Sequence, residues 1–213
     1  MAILLLDTDI EMQSTLGAAK TITAISKASE AVITGTHDFS IGDLIVIDSV
    51  VGMVEMNKRA VRVKSVSTTV SFVCEGLDSS AFTTYASGGT ATKVTAFVTF
   101  DNATSFSFPE PSPNRIDVTP INKNTKVEVF GLDDAPNISI PMIADPLATH
   151  VVALRTASLA KTTRAFRVTL QNNYVLIFNA YVAGGRGLDG SVGQAATSSA
   201  SLTLAANEQW FAS

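Results

Sequence analysis

The residues that could do chemistry are few in this chain of 213 residues. There are two histidines, His37 and His150, and one cysteine, Cys74, in the apolar run SFVCEG. Neither histidine has a cysteine or acid at metal-ligand spacing, so both are read as structural. A single cysteine permits neither an internal disulfide nor a Cys-rich metal site, and Cys74 reads as a buried small apolar residue. The segment GRGLDG, Gly185 to Gly190, satisfies G-x-G-x-x-G but runs on through Ser and Ala into a strand. A dinucleotide loop needs a helix N-terminus at that point, so this is read as a flexible loop between strands. No G-x-S-x-G elbow occurs, and two histidines remote from any nucleophile motif argue against a triad. Asp133 and Asp134 sit between Gly131 and Pro136, a turn composition. No catalytic, cofactor-binding or metal-binding residue is assigned, and no enzyme is expected.

One further group of charges is patterned. Asp7, Asp9 and Glu11 alternate in LLLDTDIEMQ. On a strand, all three carboxylates would point to one face. The plain reading is a solvated outer face.

The elements around these residues are mostly β. Short β-branched runs such as KTITAIS, DLIVIDSV, AVRVKSVS, TATKVTAFVTF, KVEVF, AFRVTL and YVLIFNAYV are separated by Gly, Asn, Asp, Ser or Pro. The opening run AILLLDTDIEMQ is expected to be a strand, too short and without the basic start of a signal peptide. LQNNYVLIF predicts a hairpin with Asn172 and Asn173 at the turn. One helix is predicted over ADPLATHVVALRTASLAK, with Asp145 as N-cap, Pro146 in first place, and Leu147, Val151, Leu154 and Ser158 at helical spacing. No apolar run approaches the ~18 residues of a membrane span, so no membrane association is expected.

Hydrophobic residues make up 46% of the chain and charged residues only 16%, against about 25% charged in an ordinary soluble domain. A neutral polar surface is cheaper to bury between subunits than a charged one. The net charge of −4 argues against a protein that binds nucleic acid by neutralising phosphates.

Two patterns alternate along the chain. Residues 23–94 are dense in turn signals, and Val61 and Val63 alternate with Arg62 and Lys64 on what reads as a half-buried strand. Residues 1–22 and 95–213 have longer strands joined by polar loops. The first region is read as a small β-barrel-like module, able to fold alone, inserted into a discontinuous host domain. It supplies His37, Gly42 and Asp43, then Gly52, Met53, Glu55 and Asn57, then Tyr85, Gly88 and Gly89. That pattern resembles an FCCH-type β module, named after ubiquitin-activating enzymes and repeated in bacteriophage structural proteins. The resemblance implies a folding unit and no ubiquitin chemistry.

The host region resembles a long-tailed phage tail tube protein. The residues concerned are Arg115-Ile-Asp-Val-Thr119, Phe130-Gly-Leu-Asp-Asp134, the predicted helix, the hairpin AFRVTLQNNYVLIFNAYV and the last strand SLTLAANEQWF. The resemblance implies a mainly β, sandwich- or barrel-type subunit with one α-helix. Six such subunits form a ring, and stacked rings form a channel that conducts double-stranded DNA without binding it specifically. The implied partners are further copies of the chain, a tape measure protein, a tail terminator and tail-tip proteins. The implied location is the virion tail, assembled in the bacterial host cytoplasm.

In such a tube Asp7, Asp9 and Glu11 become candidates for an acidic lumen wall that repels phosphates. Pro109, Pro111 and Asn114 in PEPSPN, with Asn122, Lys123 and Asn124 in INKNT, become candidates for contacts between rings. Gly185, Arg186, Gly187 and Asp189 become candidates for an inter-subunit arm. The inserted module is expected to face outward, because a unit with its own core would block the channel. The rival readings are a tail or capsid decoration protein that binds a host surface, and a tail hydrolase. A lack of clustered aromatic residues weighs against the former, and the missing nucleophile motif against the latter.

Overall fold

The computed structural model describes residues 7–67 and 69–212. Residues 1–6, the start of the first expected strand, lie outside the described residues.

The β-branched runs form strands as their composition requires. The first eight are β1 (Asp9–Leu16), β2 (Lys20–Thr21), β3 (Ala24–Ile25), β4 (Val32–Thr34), β5 (Leu44–Val51), β6 (Ala60–Ser67), β7 (Ser71–Cys74) and β8 (Ser87–Thr99). A hairpin of β9 (Ser112–Asp117) and β10 (Glu128–Asp134) follows, then β11 (Asn137–Ile143). The helix α1 (Thr149–Ala160) precedes β12 (Thr163–Thr169), β13 (Val175–Gly184), β14 (Thr197–Leu204) and β15 (Gln209–Phe211). All strands but two join one sheet, in the order β11-β14-β13-β12-β1-β8-β5-β6-β7-β4-β3, with β15 on β13 and β2 on β8. The hairpin β9–β10 forms a sheet of its own. The fold is mainly β with one helix, as expected.

The core has three parts. On one face of β1, β12 and β13, Met12, Phe166 and Phe178 pack under α1 through Val151, Leu154 and Ala157. The Phe166 and Phe178 rings stack with centroids 5.2 Å apart. A second cluster lies within residues 23–94, the expected module, with Ile33, Ile45, Ile47, Met53, Met56, Val61 and Val63. Ile22, on the host side of the expected boundary, belongs to this second cluster. A third cluster joins the two: Leu44 and Ala60 of the module pack on Ala165, Ile177 and Phe211 of the host.

The expected boundary at residues 94 and 95 falls inside β8. The first half of that strand pairs with β5 and the second half with β1. Asn179 in β13 donates from Nδ2 to the Lys58 carbonyl, 2.9 Å away, and the Arg62 guanidinium lies 4.3 Å over the Phe211 ring. The two regions therefore share a strand and an apolar joint.

One of two local expectations needs correction. The helix begins at Thr149 rather than at Pro146. Asp145 instead closes a turn ahead of it: its Oδ1 accepts from the Leu147 amide and its carbonyl from the Ala148 amide. Leu147 is consequently exposed, and the buried stripe is His150, Val151, Leu154 and Ala157. The predicted hairpin does form between β12 and β13, with Asn173 at a φ of 63°. Asn tolerates that left-handed conformation better than most residues.

Candidate assembly surfaces

Among the described residues, the β9–β10 hairpin forms a sheet of its own and carries exposed apolar residues. Ile116 faces Val129 and Arg115 faces Phe130 in its register, and the Val118 amide donates to the Val127 carbonyl. Side chains alternate along each strand, so Ile116, Val118, Val127 and Val129 share one face. They are 50%, 45%, 43% and 46% exposed, respectively. The opposite face carries Arg115, Asp117, Glu128 and Phe130. Arg115 lies 3.5 Å from Glu128 and 5.8 Å over the Phe130 ring, and Lys126 also pairs with Glu128. A lone two-stranded ribbon is at best marginally stable in water. An apolar face on one therefore calls for a cover.

The candidate ring-contact residues converge on this element. Pro109 and Pro111 lead into β9, and Asn114 lies within it. Asn122, Lys123 and Asn124 form the tip, where the Lys123 amide donates to the Pro120 carbonyl. All six are exposed. Part of PEPSPN is thus strand rather than loop. Sequence reasoning overlooked the apolar face itself, although RIDV and KVEV both alternate charged and β-branched residues.

The loop carrying Gly185, Arg186, Gly187 and Asp189 is anchored at both ends. The Gly185 carbonyl accepts from Arg155 Nε at 3.0 Å. Asp189 exchanges two backbone hydrogen bonds with Thr197. Between these anchors Leu188 is exposed, as is Val192 just beyond.

The three patterned acids do not form one strand face. Asp7 sits in a turn ahead of β1 with a φ of 51°. Asp9 and Glu11 are on β1, but Glu11 accepts from Arg167 Nε at 2.6 Å, and that guanidinium lies 4.3 Å over the Phe97 ring. That pairing offsets one of the three expected charges. Glu11 faces Arg167, and Arg167 faces Ile177 in the sheet register. This face is therefore the side on which module residues Leu44 and Ala60 pack.

The remaining candidates are structural. His37 Nδ1 accepts from the Phe39 amide, and its ring stacks on Phe39 at 5.1 Å. His150 is buried beside Phe100, and burial holds its pKa below the ordinary histidine value. Burial pushes the Cys74 thiol up to about 12. Among the described residues no group of three or more His, Cys, Asp or Glu is placed to hold a metal. No helix among them is long and apolar enough to cross a membrane.

The module motif residues close turns. Asn57 holds both the amide and the carbonyl of Val50, at 2.6 and 2.9 Å. Glu55 Oε1 accepts from the amide and hydroxyl of Thr83. The Tyr85 hydroxyl bonds to the carbonyls of Ile22 and Gly88. Gly52 has a φ of +91°, and a Cβ there would lie 2.4 Å from the Thr84 carbonyl oxygen.

These surfaces offer contact area rather than reactive groups. A comparison with curated proteins finds no match. A family model described as phage tail tube protein, TTP, matches residues 51–211, well over half of the chain. On that match the chain belongs to the phage tail tube protein family, and it is a structural component of a virion tail rather than an enzyme.

Proposed function

We propose that six copies of the chain close into a ring and that the rings stack into a tube through which double-stranded DNA leaves the virion. The observation that carries this reading is the β9–β10 hairpin, with Ile116, Val118, Val127 and Val129 each about half exposed. In the proposed tube that face docks on a subunit of the next ring, and the tip residues Asn122, Lys123 and Asn124 supply polar contacts at its rim. The loop from Gly185 to Asp189 reaches a neighbouring copy through Leu188, while Arg155 and Thr197 hold its ends.

The region 23–94 acts as an added module on the outside of the tube, since a folded unit of that size would obstruct the bore. Asp9 and Glu11 lie on the module's side of the sheet, so in this arrangement they face away from the lumen. DNA passes without specific binding, which the net charge of −4 favours. A tape measure protein, a tail terminator and tail-tip proteins bound the tube, and assembly takes place in the bacterial host cytoplasm.

Negative-stain electron microscopy of the concentrated protein tests the reading. Hollow tubes or six-fold rings are expected, with a tail-tip extract as seed if required. A monomer that never polymerises under either condition would favour a decoration protein on the virion surface.

A further inference from the structure

The helix α1 turns an uncharged face outward. Val151, Leu154 and Ala157 pack into the core. Thr149, Val152, Thr156 and Leu159 recur at helical spacing on the opposite side, and all four are exposed. Val152 and Leu159 are 45% and 61% exposed, respectively. The Thr156 hydroxyl donates back to the Val152 carbonyl at 2.9 Å. The one Lys, Arg, Asp or Glu of the helix is Arg155, which is spent on the Gly185 carbonyl. A helix that meets water ordinarily carries charged residues on that side, so this face calls for a cover. At its N-terminal end the helix borders a cleft of about 210 Å³, lined by Pro146, Val151, Arg155, Gly185 and Leu188. Leu188 on that cleft is exposed, as is Leu147 next to Pro146 in the chain.

The β9–β10 hairpin has the complementary features. Its aliphatic face also lacks a cover, and its tip carries Ile121, which is fully exposed. The cleft beside α1 has room for one aliphatic side chain, since an apolar cavity of about 150 Å³ already takes benzene. The charges match in order along the two elements. Lys123 lies at the hairpin tip, and Asp133 and Asp134 lie at its root. Asp145 lines the cleft before the helix, and Lys161 caps the helix end. None of these five residues takes part in an ion pair among the described residues. With the hairpin tip over the cleft, each charge meets its opposite. The lengths agree as well, about 18 Å for the 12 residues of α1 and about 23 Å for the 7 residues of β10.

We propose that the outer face of α1, with the cleft at its start, receives the β9–β10 hairpin of a second copy of the chain. Ile121 enters the cleft, and the aliphatic face of the hairpin lies along Val152 and Leu159. Each copy offers one hairpin and one helix face, so the contact is head-to-tail and copies add along one axis. This inference rests on the tube reading and names the surface on which the hairpin docks.

The test joins electron microscopy with cysteine cross-linking of the full-length protein. Val118→Cys and Val152→Cys are placed in one chain, and a short bismaleimide is added to the assembled protein at neutral pH. Cys74 is buried and does not compete. Tubes of the double variant should give a ladder of linked chains on a denaturing gel. Either single variant, and the dilute unassembled subunit, should give none. Tubes without a ladder would overturn the inference and leave the tube reading standing. Links from Val118→Cys alone would put hairpin on hairpin, and links from Val152→Cys alone would put helix on helix; either result overturns it. A natural chain that forms neither tubes nor rings would sink the reading and this inference together. Should the cysteine variant not assemble, the critical concentration is compared for Ile116→Ser with Val129→Ser, for Val152→Ser with Leu159→Ser, and for all four together. Each pair should raise it about ten-fold or more, and the four together no further than the larger of the two rises. Rises that multiply would place the two faces in separate contacts and overturn the inference.

Discussion

Replacing Ile116 and Val129 together by serine should cripple assembly and leave the subunit intact. The two residues face each other across the hairpin and are 50% and 46% exposed. Complete burial of such a side chain contributes roughly 1.5–3 kcal/mol. About half of that remains to be gained on docking, so the four residues of the apolar face together offer roughly 3–6 kcal/mol per hairpin. The double variant removes about half, or roughly 1.5–3 kcal/mol. At about 1.4 kcal/mol per factor of ten, the critical concentration for polymerisation should rise by about 10- to 150-fold. The free subunit also loses the half of that burial it already has, roughly 1.5–3 kcal/mol for the pair, but the hairpin forms a sheet of its own, so the main sheet stays folded. The assay is sedimentation of polymer across a concentration series, with calorimetry on the unassembled protein. An unchanged critical concentration would refute the reasoning. A collapse of the melting temperature would refute it also, because the hairpin would then belong to the subunit core.

Four other outcomes are expected. Cys74 should not react with a thiol reagent near pH 8 in the native protein and should react once denatured, because burial raises its thiol to about 12. The same shift makes stability complete below about pH 9, the ordinary thiol value, and progressively lost as pH rises from there towards about 12, since the unfolded thiol ionises first; a flat stability profile over that window would contradict the burial. Arg155→Ala removes the 3.0 Å bond to the Gly185 carbonyl and should speed tryptic cleavage after Arg186 about five-fold, as expected for loss of one bond of about 1 kcal/mol; an unchanged rate would mean the loop is held otherwise. Gly52→Ala places a Cβ 2.4 Å from the Thr84 carbonyl oxygen at a φ of +91° and should destabilise the chain by about 2 kcal/mol or more in denaturant unfolding; a cost below about 0.5 kcal/mol would mean that the turn relaxes freely.

Much of the fold was legible because β-branched alternation states both a strand and its buried face. AVRV illustrates this: Val61 and Val63 are buried, while Arg62 pairs with Glu75 and Lys64 with Glu30. The turn motifs were legible too, since Asn57, Glu55 and Tyr85 act through local backbone bonds. What failed depended on local competition at the helix start and elsewhere on partners remote in sequence. Asp145 and Pro146 are good helix starters, yet the chain spends them on a preceding turn. The expected boundary at residue 94 falls within β8, a continuous strand that pairs with β5 along one half and with β1 along the other. Glu11 lost its expected free charge to Arg167, 156 residues away. The hairpin was legible as two strands, but its detachment from the main sheet was not, because alternation specifies a face without saying what covers it.

The most direct measurement is a cryo-electron microscopy reconstruction of the polymerised protein. The account predicts six-fold rings in which the 112–134 hairpin of each subunit lies on a subunit of the adjacent ring, with Ile116, Val118, Val127 and Val129 at the contact. A tube whose hairpins project into solvent, or a protein that forms no tube, would contradict it.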